Sequence, residues 1–395
     1  MINRFILKML QDEISQPEIN ILLGARQVGK TTLLREIEKH AIQKKLKTIF
    51  FDLEQPETLA KFNQSDSEII DRLKTAGQVI FIDEFQFLPN ASKILKAIYD
   101  LKSGIKFYCS GSSSLEIHKH LKESLAGRRF LFRIYPLQYA ELKASVNNFS
   151  FEAYLRYGGM PALAQTDSEE RKQLILSELL SAYILKDIKS LVKEENIRAF
   201  NHLIYLLAQN QGSVISVHSL ANEVKVNFAT LNRYLDILEQ TFVNFRVPSF
   251  SSNLGNELKK SCKTYFYDLG VRNALLRDFS SLADRSDRGI LFESFVFLSL
   301  QYRLKPNMEI KFWRTKEGHE VDFILLKDRR PIPIEVKARL PSLQIPKGLE
   351  RFLARYTECS EAYVISETQT GDILHGKCRI EFLTFEMIDQ IFENP

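Results

Sequence analysis

The sequence predicts an α/β protein: a parallel sheet covered by helices, then a helical region, then a second α/β region. Three observations predict it. Short β-rich runs alternate with helical ones from about residue 17 to 135. A glycine-rich phosphate-loop pattern closes the first of those runs. An apolar run ending in two carboxylates follows downstream. Alternation of this kind calls for parallel strands with helices on both faces. The expected strands are 19–23, 48–53, 79–82, 105–109 and 129–134.

The first strand ends at Gly24, and Gly24-Ala25-Arg26-Gln27-Val28-Gly29-Lys30-Thr31 fits G-x-x-x-x-G-K-[ST], with a periodic helix starting at Thr32. Backbone N–H groups of such a turn, together with a helix N-terminus, hold phosphates. Lys30 is the candidate to reach the β- and γ-phosphates, and the Thr31 hydroxyl the candidate Mg²⁺ ligand. The nucleotide-binding set is therefore Gly24 to Thr32, with ATP and Mg²⁺ as ligands.

Val79-Ile80-Phe81-Ile82 runs into Asp83 and Glu84, as expected where a buried parallel strand opens on the ligand crevice. Asp83 is the candidate metal holder, and Glu84 the candidate to polarise the attacking water. The strand at 105–109 runs into Ser110-Gly111-Ser112-Ser113-Ser114. Ser110, at the strand end, is the candidate to sense the γ-phosphate or water; capping of a following helix is the competing reading. Arg128 and Arg129 follow Leu125-Ala126-Gly127. Arg128 is a candidate transition-state arginine, acting within the chain or from a neighbouring subunit of a homo-oligomer, against an ordinary solvent-facing arginine.

The middle segment reads as helices at 203–207, 217–224 and 227–240, with the short turn near Lys225 giving helix-turn-helix spacing. Residues 242–266 are the candidate wing. Asn232 and Arg233 suit DNA, whereas Asp236 and Glu239 oppose it, so DNA and a protein partner both stay open. Tyr157-Gly158-Gly159-Met160-Pro161 is a rigid turn, placed either near the nucleotide or at a hinge. The polar run 280–288 reads as a linker or mobile loop.

The last third alternates again, with strands expected at 311–314, 321–326, 332–337, 362–365 and 379–383. Glu320 and Asp322 share one strand face, and Glu335 and Lys337 share another. If the two strands are neighbours, Asp322, Glu335 and Lys337 converge, with Glu293 on a helix as a further acid. Glu293, Asp322 and Glu335 are then candidate metal ligands and Lys337 a catalytic lysine, a set suited to Mg²⁺-assisted phosphodiester cleavage. Solvated charges on amphipathic strands, or a relative of that fold that no longer cuts, are the alternatives.

The charge balance, 54 basic against 49 acidic residues, gives +5 and makes no case for nucleic acid by itself. The four cysteines, Cys109, Cys262, Cys359 and Cys378, lack metal-site spacing, and Cys109 reads as a buried free thiol. No apolar run approaches the roughly 20 residues of a bilayer span, and no signal-peptide pattern is present, so no membrane insertion and a cytoplasmic location are expected.

Together these segments resemble AAA-like bacterial and archaeal ATPases with a C-terminal domain of formerly unknown function. The marks are the Gly24–Thr31 loop, Phe81-Ile82-Asp83-Glu84-Phe85-Gln86, Cys109-Ser110-Gly111-Ser112-Ser113, Leu125-Ala126-Gly127-Arg128, Tyr157-Gly158-Gly159-Met160-Pro161 and Tyr265-Phe266-Tyr267-Asp268-Leu269-Gly270. The resemblance implies ATP as substrate, an additional-strand, three-layer P-loop core and a winged-helix-like middle module, and it favours Arg128 over Arg129. The order Glu293, Asp322, Glu335-Val336-Lys337, with 313–319 as the preceding hairpin, resembles the restriction-endonuclease-like fold. Expected domains are 1–145, 146–275 and 276–395. The expected function is an Mg²⁺-dependent ATPase acting on DNA or a protein partner, with nuclease activity at the C-terminal site; the alternative is an ATP-gated regulatory or scaffold module carrying an inactive nuclease-like domain.

Overall fold

The structure, a computed structural model, describes residues 2–112, 125–182, 197–251 and 262–393. The chain forms two compact units. One holds residues 1–148, 160–165 and 240–243; the other holds 149–159, 166–239 and 244–395. Among the described residues no helix is long and apolar enough to cross a membrane.

The first unit is built on five parallel strands: β1 (Ile19–Leu23), β2 (Thr48–Asp52), β3 (Val79–Asp83), β4 (Lys106–Gly111) and β5 (Arg129–Arg133), in the order β2-β3-β4-β1-β5. β1, β3 and β4 are buried along their whole length, which is why they read as unbroken apolar runs. β4 stands between β1 and β3, as an additional-strand core requires. It therefore places Ser110 between the glycine-rich loop and the Asp83 strand end. Cys109 is fully buried there as a free thiol. Ser113 and Ser114 lie outside the described residues.

The second unit contains two sheets. In the first, β6 (Val214–Ile215), β7 (Asn244–Pro248) and β8 (Cys262–Phe266) run antiparallel in the order β6-β8-β7. Helices Ile197–Gln209, Val217–Glu223 and Phe228–Gln240 precede β7. The connection 252–261 within the expected wing lies outside the described residues. The second sheet has the order β13-β14-β12-β11-β10-β9, from β9 (Met308–Arg314), β10 (Glu320–Lys327), β11 (Arg330–Lys337), β12 (Glu361–Ser366), β13 (Gly371–His375) and β14 (Cys378–Thr384). β10 pairs antiparallel with both β9 and β11, so the strands bearing Asp322 and Glu335 are neighbours. The helix Arg288–Gln301 packs Leu291, Phe292, Phe295, Val296 and Phe297 into the core and carries Glu293.

Two features of the second unit depart from or extend the expectations. The polar run 280–288 is no linker: the Arg285 side chain is 1% exposed and bonds the Asp278 carbonyl, the Asn273 amide oxygen and Asp287. Arg272, equally buried, pairs with the same Asp287 and donates to the Ala208 carbonyl. Polar residues here satisfy one another inside the fold, a pattern that composition alone cannot separate from a solvated loop. The glycine motifs at 157–161 and 265–270 meet as one joint. Asp268 accepts from the Gly159 and Val271 N–H groups at 2.7 and 2.9 Å, and a Cβ on Gly270 would lie 2.0 Å from the Tyr157 carbonyl oxygen.

Candidate functional site

The glycine-rich loop connects β1 to the helix Lys30–Gln43. Gly24 must lack a side chain, because a Cβ there would sit 2.2 Å from the Ile134 carbonyl oxygen as the chain leaves β5. Gly29 has φ +92°, the left-handed region glycine tolerates, and its carbonyl accepts the Leu33 N–H at 3.0 Å where the helix begins. Lys30 is 5% exposed and donates to the Gly24 and Ala25 carbonyls at 3.0 and 2.9 Å. Burial pulls its ammonium below the ordinary lysine value, and Glu84 and Asp83 pull the other way. Thr31 and Thr32, by contrast, are exposed. The loop is a cradle with its lysine resting on its own carbonyls.

The acids arrive from the neighbouring strands. Asp83 is 3% exposed and accepts from the Ser110 hydroxyl, and that hydroxyl accepts from the Glu84 N–H at 3.4 Å. Glu84 itself lies in the left-handed region, φ +51°, which turns its side chain back over the strand ends. Its carboxylate accepts from the Gln86 amide and from the Ser112 N–H at 3.2 Å. Ser110 thus links the two acids from the intervening strand. Glu54, beyond β2, belongs to the same acidic surround: its carboxyl is raised by burial and by Glu84, with Arg26 opposing.

Arg128 is not brought to this cluster. Its carbonyl accepts from the Ile19 N–H, so it stands where β1 begins, at the sheet edge opposite the loop. Its guanidinium pairs there with Asp100 at 2.6 and 3.2 Å. Within the chain, Arg128 therefore stands apart from the acids. Strand direction, invisible in a linear motif, decides the matter.

Sequence reasoning missed Arg4. Its guanidinium donates to the Val28 carbonyl at 3.0 Å and the Tyr135 carbonyl at 2.7 Å, tying the loop to the exit of β5. Glu141, 2% exposed, holds it at 3.4 Å and also accepts the Phe5 and Gln138 N–H groups. Beside this clamp lies a cavity of about 680 Å³ lined by Ile2, Leu7, Gly29, Thr32, Leu137 and Pro161, among others. An N-terminal arginine before an amphipathic helix carries no motif, so nothing in the sequence marks it.

In the second unit, the residues expected at the C-terminal site do come together, and a lysine from β8 stands among them. The Lys263 side chain is 1% exposed; its ammonium lies 2.6 Å from Glu320, 3.2 Å from Glu293 and 3.8 Å from Asp322. Tyr265 donates to the same Glu293 oxygen at 2.5 Å. Asp322 accepts from the Val336 N–H at 2.8 Å, and Lys337 donates to Glu335 at 2.7 Å. Burial, then Asp322, pushes the Glu293 and Glu335 carboxyls upward. Burial works against the Lys263 charge, but Glu293, Asp322 and Glu320 outweigh it and hold the ammonium above its ordinary value.

Residues 16–143 match the family model described as an AAA domain. Residues 148–282 and 288–382 match two domains of unknown function, DUF8612 and DUF4143. The chain is 28% identical over 331 residues to an uncharacterized protein of Mycobacterium tuberculosis, covering 83% of this chain and 72% of the relative. An uncharacterized protein of Methanocaldococcus jannaschii is 26% identical over 392 residues, covering 87% and 80%. Among solved structures, the RuvB Holliday junction branch migration motor of Thermotoga maritima aligns at 18% identity and a TM-score of 0.33, over 66% of this chain and 95% of that one. No functional assignment follows from a structural likeness that weak. The family match and the sheet agree with each other: residues 16–143, which match the AAA domain model, hold the parallel sheet, with the glycine-rich loop at the end of β1, between β4 and β5 in the strand order.

Proposed function

We propose that the protein is an Mg²⁺-dependent ATPase that couples hydrolysis to action on DNA or a protein partner. The observation that carries it is the meeting of Lys30, Asp83, Glu84 and Ser110 at the ends of β1, β3 and β4, beside the exposed Thr31 hydroxyl. The residues fit a metal-bound triphosphate. Glycine at 24 and 29 keeps the cradle open, Lys30 has only carbonyl oxygens to leave, and Thr31 and Asp83 supply hard oxygen donors. Mg²⁺ held by Thr31 and Asp83 would offset the charge of the triphosphate.

Each residue then has a defined task. Lys30 exchanges the Gly24 and Ala25 carbonyls for phosphate oxygens. Thr31 and Asp83 hold the metal, and Ser110 fixes the orientation of Asp83. Glu84, once freed from Gln86 and the Ser112 N–H, accepts the proton of the attacking water. The nucleoside portion lies in the cavity beside Arg4, where Ile2, Leu7, Leu137 and Pro161 supply apolar surface for a purine.

For the output, the helix Phe228–Gln240 favours DNA more than its composition suggests. Asp236 and Glu239, its acids, are both paired with Arg246 of β7, at 2.7 Å for Asp236. Arg233 and Lys225 are left exposed on the same module.

The test is phosphate release from ATP with Mg²⁺, in the parent protein and in Glu84→Gln, with and without DNA. Release that stops in Glu84→Gln while ATP is still bound supports the assignment. No release from the parent under any of these conditions would sink it, and leave an ATP-gated module in its place.

A further inference from the structure

We propose that Lys263 is the resident cation of the carboxylate cluster formed by Glu293, Glu320, Asp322 and Glu335, and that while it is in place the cluster does not take a divalent metal. The inference is independent of the ATPase reading, since it concerns residues of the second unit only.

The oxygen ledger carries it. A hard divalent cation asks for about six oxygen ligands, several of them carboxylate. Here one Asp322 oxygen accepts the Val336 N–H and the other faces the Lys263 ammonium. One Glu293 oxygen is shared by Lys263 and Tyr265. A Glu320 oxygen lies against Lys263, and one Glu335 oxygen accepts from Lys337. Among the described residues, the other Glu335 oxygen, Oε2, is buried without a hydrogen-bond partner. Also among the described residues, no three histidine, cysteine, aspartate or glutamate side chains are arranged to hold a metal ion. With Lys263 in place the open oxygens fall short of the about six such a cation asks for.

The ammonium is also where a cation would be needed. It touches three of the four acids, and its side chain is 1% exposed. A buried charge is tolerated only when paired and hydrogen-bonded, and Lys263 meets that condition through Glu293 and Glu320. Its backbone is fixed as well, because β8 is held on both sides by β6 and β7. The residue types of a metal-dependent nuclease are thus present, with their cation supplied by the chain itself.

Electron paramagnetic resonance with Mn²⁺, on the full chain without nucleotide, tests this. The parent protein is expected to leave Mn²⁺ free. Lys263→Met is expected to gain one site at least about tenfold tighter than any parental binding, lost again on adding Asp322→Asn. Should Lys263→Met alone fail to fold, Lys263→Gln with Glu293→Gln removes one charge of each sign and carries the same expectation. Mn²⁺ bound by the parent and released by Asp322→Asn would overturn the proposal. So would either Lys263 variant that stays folded, judged by a parental circular-dichroism spectrum and unfolding midpoint, yet gains no Mn²⁺.

Discussion

Lys30 and Lys263 both sit near acids, and they are in opposite states. Lys30 rests on two backbone carbonyls, near Asp83 and Glu84, at the mouth of a loop whose threonines are exposed. Lys263 is enclosed by Glu293, Glu320 and Asp322 and shut off from solvent. The first charge is held by weak, exchangeable partners and awaits an anion. The second is already paired with carboxylates of the chain itself. Similar residue types therefore yield an open site in one unit and a closed one in the other, and only the partners tell them apart.

The largest expected effect breaks the open side of that comparison. Glu84→Gln should lower ATP turnover by about two to four orders of magnitude, the range for losing a positioned general base, with ATP affinity little changed. Retained turnover would mean that Glu84 is not the base.

On the closed side the readout should be stability. Burial pushes the Asp287 carboxyl up, and the Arg285 and Arg272 guanidiniums more than reverse this, holding it at about 2 against an ordinary 3.8. A lowered value favours the folded state once the group ionises. Its stabilisation is thus present above about pH 4 and lost as pH falls through about 2. Asp287→Asn should cost about 2 kcal/mol at neutral pH, and the cost should shrink in acid. Urea unfolding at pH 7 and pH 3 measures both; an equal cost at the two values would contradict the pairing.

A smaller change sharpens the open side. Ala162→Trp projects a ring into the cavity beside Gly29 and should weaken ATP binding by about tenfold, while inorganic triphosphate, which lacks a nucleoside, is unaffected. Equal loss for both ligands would place the nucleoside elsewhere. The smallest effect belongs to Arg128→Ala, since Arg128 pairs with Asp100 at the far sheet edge. Turnover should stay within about twofold of the parent. A large loss would instead show an arginine acting across a subunit interface.

Much of the first unit was legible because its strands are buried on both sides. β1, β3 and β4 read as apolar runs, and the candidate site residues lie at or just past their C-terminal ends. Strand direction was not readable from spacing alone, so the motif did not show that Arg128 lies where β1 begins, away from the loop. β13 escaped notice because its residues are largely exposed and only Ile373 and His375 are partly covered, leaving little periodic signal. In the second unit the acids were legible, since alternation on β10 and β11 placed them on strand faces. Lys263 was not, because it reaches the acids from a different sheet and lies 30 residues before the first of them. A buried lysine within an aromatic strand reads from sequence as a solvent-facing residue. The arginines at 272 and 285 were hidden for the same reason: burial with a partner leaves no trace in composition.

The most direct test of the open-and-closed account is the number of Mn²⁺ ions bound, measured by electron paramagnetic resonance with and without a non-hydrolysable ATP analogue. The account predicts none without nucleotide and one with it, lost in Asp83→Asn and retained in Asp322→Asn. A bound Mn²⁺ that needs no nucleotide and disappears in Asp322→Asn would contradict it.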